Sequence, residues 1–310
     1  MGHPDEAGFL SAIAAGDDTA RLVFADWLDE HGDPRAPWVR DPELWPFMAP
    51  DATDPVPRLL ARVGGEVPNE RWELLGRLGA HAVPALVDAH RDENEGRPGA
   101  VVTGAVQALG WIGAGAHEAV PTLVDALSEY EDEQMRKCAA SALGSIGPTA
   151  VPALVAALRD EDGWLREGAA WALRLIGAGA HEAVPALAAA LGAKDVRVSN
   201  AAVSALAWIG PAAVPALTAA LRDEWLRMRG NAAWALGWIG PGAHEAGPAL
   251  TAALRDEHGG LRACVAQALG RIGPGAAEAV PELERLREVD PDQDVRRLAA
   301  EALASITRTE

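Results

Sequence analysis

The sequence has few aromatic residues other than tryptophan, only two cysteines and no long apolar run. Three Phe and one Tyr occur among 310 residues, although 49% of the residues are hydrophobic. Ala and Leu, both strong helix formers, dominate the apolar residues and predict an α-rich fold. No run of about 18 uninterrupted apolar residues is present, which argues against a membrane span. The first ten residues lack the basic segment and apolar core of a secretory signal. We therefore expect a cytoplasmic protein with no membrane partner.

Basic residues are in the minority. Lys and Arg number 27 against 45 Asp and Glu, which gives a formal net charge of −18 at pH 7. Nucleic-acid binders usually carry a basic stripe instead. The composition therefore disfavours nucleic acid as a partner, although it does not describe the charge of any local groove.

The two cysteines, Cys138 and Cys264, lie at equivalent positions four repeats apart, each five residues before the Leu of the repeat motif described next. Stacked helices lie about 8–10 Å apart, so the two sulfur atoms are expected far beyond disulfide reach. We expect both residues to be small buried side chains in a reducing compartment.

An internal repeat organises most of the sequence. The motif Ala-Val-Pro-(Ala/Thr)-Leu or a close variant recurs with its proline at Pro84, Pro121, Pro152, Pro185, Pro215, Pro248 and Pro281. It alternates with Ala-Leu-Gly-x-Ile-Gly, which ends near Ile112, Ile146, Ile176, Ile209, Ile239, Ile272 and Ile306. Together the motifs divide the chain into seven units, at about 80–113, 114–147, 148–177, 178–210, 211–240, 241–273 and 274–307.

Each unit is predicted to hold two helices, which we call helix A and helix B. Pro in the first turn of helix A is tolerated because the amide it lacks has no intrahelical partner there. Gly after the Ile of helix B suits a left-handed C-cap. A helix pair cannot bury its apolar faces alone, so stacking of the pairs must create the core. We expect an all-α fold, a right-handed α-solenoid of about seven helix pairs.

The repeat resembles HEAT repeats of the short kind first associated with phycobilin lyases. That family shows a helix A with Pro, then Asp, then Arg ahead of Ala-Ala-x-Ala-Leu-Gly, and the resemblance covers about three quarters of this chain. It implies that helix B lines the concave side of the solenoid.

Asp and Arg recur six residues apart within the repeat. We expect a structural ladder that ties the interhelical loops of adjacent repeats, because a catalytic pair would occur once and this pair recurs. The members are Asp160 and Arg166, Asp223 and Arg229, Asp256 and Arg262, and Asp290 and Arg296.

Residues 1–33 form a separate module by sequence. Two short helices are predicted, Glu6–Ala15 and Thr19–His31, with Asp18 as the N-cap of the second. The strings Phe-Leu-x-Ala-Ile (9–13) and Arg-Leu-x-Phe-Ala-Asp-Trp-Leu-Asp-Glu-His-Gly-Asp-Pro-Arg (21–35) resemble a bacterial domain found beside repeat arrays, the repeat-companion domain. This resemblance implies no mechanism.

Residues 34–65 are interpreted as a proline-rich but ordered connector to the array at 66–310. Seven prolines between positions 34 and 57 exclude helix through most of this stretch. Four apolar side chains are too many for a solvated linker, so we expect the connector to pack along the first repeats, with Trp72 as one contact. They are Trp38, Trp45, Phe47 and Met48.

Three His-Glu pairs invite comparison with deoxyhypusine hydroxylase, a HEAT-like enzyme whose His-Glu pairs hold a di-iron centre. In that family the pair precedes the Ala-Ala of helix B, whereas here it precedes helix A, at His117-Glu118, His181-Glu182 and His244-Glu245. We expect a structural capping role for these pairs. Because no nucleophile motif and no phosphate-binding glycine loop occur either, we expect no catalytic residue, no metal and no cofactor.

Tryptophan accounts for 11 of the 15 aromatic residues, and five Trp occupy the two x positions of Ala-Ala-x-Ala-Leu-Gly-x-Ile. With the first Ala at 0°, these positions lie at about 200° and 240° and point away from the buried face. Together with the HEAT resemblance, this predicts a concave partner-binding face of Trp111, Trp171, Trp208, Trp234 and Trp238, with Gln107, Arg174, Leu175, Gln267 and Arg271. Trp is enriched at binding hot spots; the alternative is that these rings fill the groove by packing on one another.

Three functions are left open. We predict a non-catalytic scaffold that binds a protein or peptide along the Trp face. The second is an enzyme resembling HEAT-like alkylpurine DNA glycosylases, in which Trp171, Trp234 and Trp238 cradle a lesion near Arg174; the acidic charge and the scarcity of concave Arg or Lys disfavour it. The third is a tetrapyrrole-binding protein similar to phycobilin lyases, which only the shared repeat supports.

Overall fold

The computed structural model describes residues 4–15, 17–48, 55–61, 69–91, 99–129 and 133–308. All regular structure within these ranges is helical. The chain divides into two compact units, Met1–Ala119 and Val120–Glu310.

The helices alternate along the repeat as predicted. Those of the first unit are α1 (Pro4–Ala14), α2 (Asp18–Glu30), α3 (Ala36–Arg40), α4 (Trp45–Met48), α5 (Val56–Ala61), α6 (Asn69–Arg77), α7 (Val83–Arg91) and α8 (Gly99–Ile112). Those of the second unit are α9 (Val120–Glu129), α10 (Glu133–Ile146), α11 (Val151–Ala157), α12 (Gly163–Ile176), α13 (Val184–Ala190), α14 (Val196–Ile209), α15 (Val214–Ala220), α16 (Leu226–Ile239), α17 (Gly247–Ala253), α18 (Gly259–Ile272), α19 (Val280–Val289) and α20 (Gln293–Ile306). Within the described ranges, α7 to α20 form seven successive A–B pairs, which confirms the predicted α-solenoid of about seven repeats.

The B helices from α10 to α18 are each followed by a glycine, at which the chain turns into the next pair. Helix α10 and the following segment Pro148–Ala157 meet at a bend of 114°. Gly147, at this bend, has φ 85° and ψ −148°, and Gly177 after α12 has φ 63° and ψ −132°. The predicted left-handed helical C-cap is therefore corrected: φ is positive, but ψ lies in a region that is essentially restricted to glycine. Pro148 and Pro152 then lie in the first turns of the helical segments that follow.

The core of the second unit lies between successive pairs. Most Ala and Leu positions of the helix-B motif are buried, for example Ala169, Leu173 and Leu206, each 0% exposed. The Ile position is buried in some repeats, as at Ile209, and half-buried in others, as at Ile176. Glycine on helix B permits the close approach of neighbouring B helices. A Cβ built on Gly237 of α16 would lie 3.0 Å from the Cα of Ala268 in α18, so any larger residue there must push the two helices apart.

We predict that Gly237→Ala and Gly230→Ala change stability in opposite directions. Both glycines are in α16, but a Cβ at Gly230 would meet no atom within 4 Å. Gly230→Ala should therefore raise the free energy of unfolding by up to about 1 kcal/mol through helix propensity. Gly237→Ala should lower it by about 1–3 kcal/mol through overpacking. Urea unfolding followed by circular dichroism measures both, and stabilisation by Gly237→Ala would contradict the close B–B packing.

The Asp–Arg pairs join adjacent repeats in the second half of the array. Each Arg first donates to its own A–B loop, as Arg262 does to the carbonyl oxygens of Asp256 at 2.8 Å and Glu257 at 3.1 Å. Two of them also reach the next repeat. Arg262 donates through Nε and Nη2 to both carboxylate oxygens of Asp290, at 2.7 and 2.9 Å, and Arg229 approaches Asp256 to 3.1 Å.

The ladder is altered where Ser199 replaces its Arg. The carbonyl oxygens of Ala193 and Lys194 in that loop accept instead from Arg227 of the following repeat, at 3.0 and 3.1 Å. Ser199 turns its hydroxyl to the carbonyl of Val196 at 3.1 Å. The loop carbonyls are thus satisfied by a neighbouring helix, which the motif alone did not indicate.

We predict that the Arg262–Asp290 contact stabilises the array in a pH-dependent manner. The hydrogen bond from Arg262 holds the pKa of the buried Asp290 carboxyl below its usual value. Its contribution should therefore be present above about pH 4, the unfolded-state pKa, and be lost as pH falls through the lower folded-state pKa. Asp290→Asn should cost about 1.5–3 kcal/mol at pH 7, and this difference from wild type should shrink at acidic pH.

The matched control is Asp294→Asn in α20. Asp294 is paired with Arg297 at 3.2 Å on the surface, with 74% and 55% of the two side chains exposed. Exposed pairs contribute less than about 1 kcal/mol. Equal effects of the two substitutions in urea titrations would show that the ladder contact is not stabilising.

The first unit begins with the two predicted helices, α1 and α2. The N-cap of α2 is Asp17 and not Asp18 as the sequence suggested. Its carboxylate accepts from the amides of Thr19 at 3.0 Å and Ala20 at 3.2 Å. Either Asp fits a cap by type, and only the backbone geometry distinguishes them.

The connector contains more helix than its prolines predicted. Helices α3, α4 and α5 each carry Pro in their first turn, where a missing amide costs nothing. Trp38 is buried and its ring packs at a tilt against His81, with ring centroids 4.6 Å apart, and Arg77 pairs with Asp41 and Glu43. The connector is thus packed against the start of the repeat array; the Trp72 side chain lies outside the described residues.

One stretch among the described residues is long and apolar enough to pass a test for membrane-spanning helices, Val196–Ala220, with a mean hydropathy of 1.5. It is not one straight helix. Gly210, with φ 81°, separates α14 from the turn that leads into α15, and 44% of the most apolar part is buried within the protein. The stretch therefore consists of helix B of one pair and helix A of the next.

Candidate functional site

The surface formed by the B helices of the second unit carries the predicted Trp residues. We call this surface the helix-B face: the residues of α10, α12, α14, α16 and α18 at about 140° to 240° on the wheel used above. The side chains of Trp171, Trp208, Trp234 and Trp238 are 40%, 64%, 39% and 61% exposed. Their rings therefore lie outside the buried layers between repeats.

Trp111 belongs to the first unit and is described with it. It lies at the corresponding position of α8, is 49% exposed, and packs at its base against Gly76 of α6, where a built Cβ would come within 2.9 Å of the Trp111 Cβ. Gln107, one turn earlier, is half-buried.

The indole rings of the helix-B face pack against arginine and not against one another. Arg174 lies over Trp171 and Trp208, with its guanidinium carbon 4.8 and 5.5 Å from the ring centroids. Arg271 lies over Trp238 at 4.7 Å and Trp234 at 5.4 Å. Within the described residues no ring–ring contact joins these four Trp. Each guanidinium group thus bridges indoles through cation–π contacts.

Trp164 is a further exposed member of this face that the motif analysis missed. It precedes the Ala-Ala motif by five residues, which places it at about 220°, between the two x positions. Arg136 and Arg197 lie on its ring at 3.9 and 3.5 Å from the centroid. The sequence could have indicated Trp164 if the helical wheel had been extended by about one turn toward the amino-terminal side of the motif.

A pocket of about 370 Å³ lies between α10, α12 and α14, within the volume range of small-ligand sites. It has indole walls and charged side chains at its mouth. Its lining includes Arg136, Lys137, Trp164, Glu167, Trp171 and Arg174.

Glu167 is the carboxylate of this pocket. Burial raises the pKa of Glu167 above its ordinary value, and the positive charges of Arg197 and Arg136 oppose this effect. Arg197 approaches Glu167 to 3.6 Å and is held more closely by Asp195, at 2.8 Å. A partly desolvated carboxylate beside guanidinium groups can accept hydrogen bonds from a ligand.

A second pocket, of about 490 Å³, lies between α14 and α16 and has no charged residue in its lining. It is lined by the indoles of Trp208, Trp234 and Trp238 and by Val203 and Ala207, while Ser204, Asn200 and Asn231 supply the polar groups. Asn231 donates to the carbonyl of Leu191 at 2.8 Å, so its amide is already used within the fold.

The helix-B face is basic, although the chain as a whole is acidic. Between about 140° and 240° on the B helices from α10 to α18, the charged residues are Lys137, Arg174, Arg197, Arg227 and Arg271 against Glu167. The expected scarcity of Arg and Lys on this face is therefore wrong. The motif analysis missed Lys137, Arg197 and Arg227 because they lie in the first two turns of helix B, ahead of the Ala-Ala motif.

The remaining predicted members of the face differ in how they are placed. Leu175 is 46% exposed, and its Cβ lies against Gly144 of α10, where a built Cβ would come within 2.6 Å. Gln267 in α18 is half-buried, and Arg271, one turn later, is exposed. Neither Gln267 nor Leu175 contributes to the Trp–Arg contacts.

The other candidate chemical groups are not arranged as sites. The three His-Glu pairs are exposed on the 3-10 turns that precede helix A, and the described starts of α13 and α17 show no side-chain cap hydrogen bond, so the predicted capping role is not observed there. Within the described residues no cluster of three or more His, Cys, Asp or Glu is placed to bind a metal. Cys138 and Cys264 form no disulfide with each other and are half-buried, not fully buried as predicted. Burial raises the pKa of the Cys264 thiol.

Comparison with known protein families gives one match. A family model described as HEAT repeats matches residues 99–174, 120–207, 151–237, 195–263 and 227–304. These overlapping segments cover most of the array. The match bears out the resemblance that the repeat motifs suggested, and it does not extend to the amino-terminal companion module. No curated protein matches the chain significantly.

Solved structures share the fold at low sequence identity. Importin beta is 17% identical over 96% of this chain and 44% of its own, with a TM-score of 0.50. Kap121p bound to Pho4p is 13% identical over 96% of this chain and 37% of its own, with a TM-score of 0.54. This chain thus spans less than half the length of either protein. Human deoxyhypusine hydroxylase in complex with glycerol is 24% identical over 81% of this chain and 95% of its own, but its TM-score of 0.34 supports no argument about function.

Proposed function

The chain belongs to the HEAT repeat family, and we propose that it is a non-catalytic interaction module that binds a protein or peptide partner on the helix-B face. In this proposal the contact residues are Trp171, Trp208, Trp234 and Trp238 with Arg174 and Arg271, and Trp111 is the corresponding residue of the first unit. The protein acts in the cytoplasm and needs no cofactor. HEAT solenoids commonly serve as scaffolds for other proteins.

The observation that carries the proposal is the exposure of four large indoles held by arginine on rigid helices. An exposed Trp offers a large contact area and loses little conformational entropy on binding. The stacked guanidinium groups restrict the rings further, so their orientation is largely set before a partner arrives. A surface of this kind is typical of binding hot spots, in which Trp and Arg are enriched.

The structural neighbours support a protein partner in general terms. Two of the similar structures contain Kap121p bound to Pho4p and to the extreme carboxyl terminus of the protein phosphatase Cdc14p. Those interactions belong to Kap121p. They support the proposal of a polypeptide partner for a chain with this fold.

We predict that Trp208→Ala with Trp238→Ala abolishes peptide binding without unfolding the protein. Peptides selected by the wild-type chain from a random display library would be titrated by fluorescence anisotropy. Loss of two hot-spot side chains, each contributing about 2 kcal/mol, removes about 4 kcal/mol and should weaken binding about 700-fold. Helix content and the unfolding midpoint should change little, because both rings lie outside the core.

Trp225→Ala is the matched control. Trp225 is 59% exposed but is the N-cap residue of α16, next to Gly192 of the preceding A–B loop, and lies off the helix-B face. Binding of the selected peptides should persist in this variant. If the double variant binds them as wild type does, the helix-B face is not the binding surface.

One observation favours an enzyme of the DNA glycosylase type as a second candidate. The pocket between α10 and α14 places Glu167, whose pKa is raised by burial, beside Trp164, Trp171 and Arg197. On this alternative, DNA containing an alkylated purine would lose the base, and Glu167→Gln would slow the loss by at least about 100-fold. We expect neither base release nor a low-salt gel shift with abasic DNA, and catalytic release that depends on Glu167 would replace the first proposal.

A further inference from the structure

Two guanidinium groups of the helix-B face hold no counter-ion within the protein. Among the described residues neither Arg174 nor Arg271 forms an ion pair or a side-chain hydrogen bond, and the Nε of Arg174 is buried without a partner. Several other arginines of the array are paired, as Arg262 is with Asp290 at 2.7 Å, whereas Arg159 and Arg222, which have no such pair among the described residues, are exposed to solvent. In a chain with 45 acidic residues, an unpaired buried donor is costly, and a ligand that accepts its hydrogen bonds would relieve that cost.

The two groups flank the apolar pocket between α14 and α16. Arg174 extends from α12 over Trp208 of α14, and Arg271 extends from α18 back over Trp234 and Trp238 of α16. The pocket between these indoles has a volume of about 490 Å³. Along the array the order is therefore a guanidinium group, an apolar pocket and a second guanidinium group.

We propose that the helix-B face binds an extended acidic peptide, with an apolar side chain in the α14–α16 pocket and a carboxylate on each of Arg174 and Arg271. This inference rests on the proposed function and specifies its partner. Each guanidinium group lies over indoles of a neighbouring repeat, so the two are separated by about two repeat spacings, on the order of 20 Å. An extended chain covers that distance in about six residues, so the carboxylates flank the apolar residue at about three residues on either side.

Charge complementarity selects an acidic occupant. The helix-B face carries a basic strip, Lys137, Arg174, Arg197, Arg227 and Arg271 against Glu167. Lys137 and Arg197 are already paired with Glu133 and Asp195, so Arg174 and Arg271 are the members of the strip that an added carboxylate would pair with. A basic peptide would meet like charge at each of these positions.

A short peptide fits this strip better than nucleic acid. The charge of the whole chain is −18, so the surface beyond the basic strip repels anions. Charges are screened beyond about 8 Å at physiological salt, which lets a few carboxylates reach the strip. A nucleic acid carries phosphate along its whole length, and much of that charge would lie against acidic surface.

The test uses four fluorescein-labelled probes with the full chain. The first is the seven-residue peptide Glu-Ser-Ser-Leu-Ser-Ser-Glu. The second and third carry Gln or Lys in place of both Glu, and the fourth is a single-stranded oligonucleotide of 12 bases, about the strip length. Anisotropy titrations at low and physiological salt should show that the Glu peptide binds at least about tenfold more tightly than the Gln peptide, with the difference reduced by salt. The Lys peptide and the oligonucleotide should bind more weakly still.

The decisive variant is Arg174→Gln with Arg271→Gln. It should reduce binding of the Glu peptide to that of the Gln peptide and leave the Gln peptide unchanged. The matched control is Arg159→Gln with Arg222→Gln, which removes the same charge from two exposed positions at the ends of helix A and should preserve the preference for Glu. Circular dichroism checks that both variants are folded.

The outcomes separate this inference from the proposed function. Equal binding of the Glu and Gln peptides, no binding of the Glu peptide up to about 1 mM, or tighter binding of the Lys peptide or the oligonucleotide would overturn the acidic partner. So would self-association, seen by sedimentation, that requires Arg174 and Arg271 and excludes the peptide. If library-selected peptides still depend on Trp208 and Trp238 in those cases, the proposed function stands without this inference. If Trp208→Ala with Trp238→Ala leaves binding of the Glu peptide intact, the proposed function fails.

Discussion

The close packing of successive B helices is the contact on which the array depends. A single pair of short helices cannot cover its own apolar side chains, so each pair is stable only against its neighbours. Small residues make this contact possible: Gly237 brings α16 to the backbone of Ala268 in α18. In this packing the opposite side of each B helix is not part of the core. Residues on that side can therefore vary from repeat to repeat without loss of the fold.

Polar contacts satisfy the loops between helix A and helix B, which apolar packing cannot do. The backbone carbonyl groups of these loops need hydrogen-bond donors, and in most repeats the arginine of the same helix B donates to them. Where Ser199 replaces that arginine, Arg227 of the next repeat donates instead. These contacts recur because the loops recur. The Trp–Arg contacts of the helix-B face do not recur in this regular way, since each repeat carries different residues there, and this irregularity is the reason to look for recognition on that face.

The helix-B face combines features that are unfavourable on a surface that binds no partner. Large indoles are exposed, and Arg174 is placed among them without a carboxylate, although the chain is rich in acid. Exposed aromatic area and unpaired donors both favour association. Their position on rigid helices, with two pockets between them, makes a polypeptide or ligand the natural complement. The net charge of the whole chain, −18, repels other anions.

The sequence predicted the repeat period, the A–B alternation, most of the buried Ala and Leu positions and the outward direction of the x positions. These features are predictable because helical periodicity and turn residues are local properties of the chain. The ends of helices were less certain: Asp17 replaces Asp18 as a cap, and short helices form around prolines of the connector. The sequence could not show that Arg174 and Arg271 cover the indoles, that Trp164 lies between Arg136 and Arg197, or that Arg227 serves a neighbouring loop. These contacts join residues about 30 or more positions apart. Only the stacking distance and the side-chain directions of the folded repeats bring such residues together.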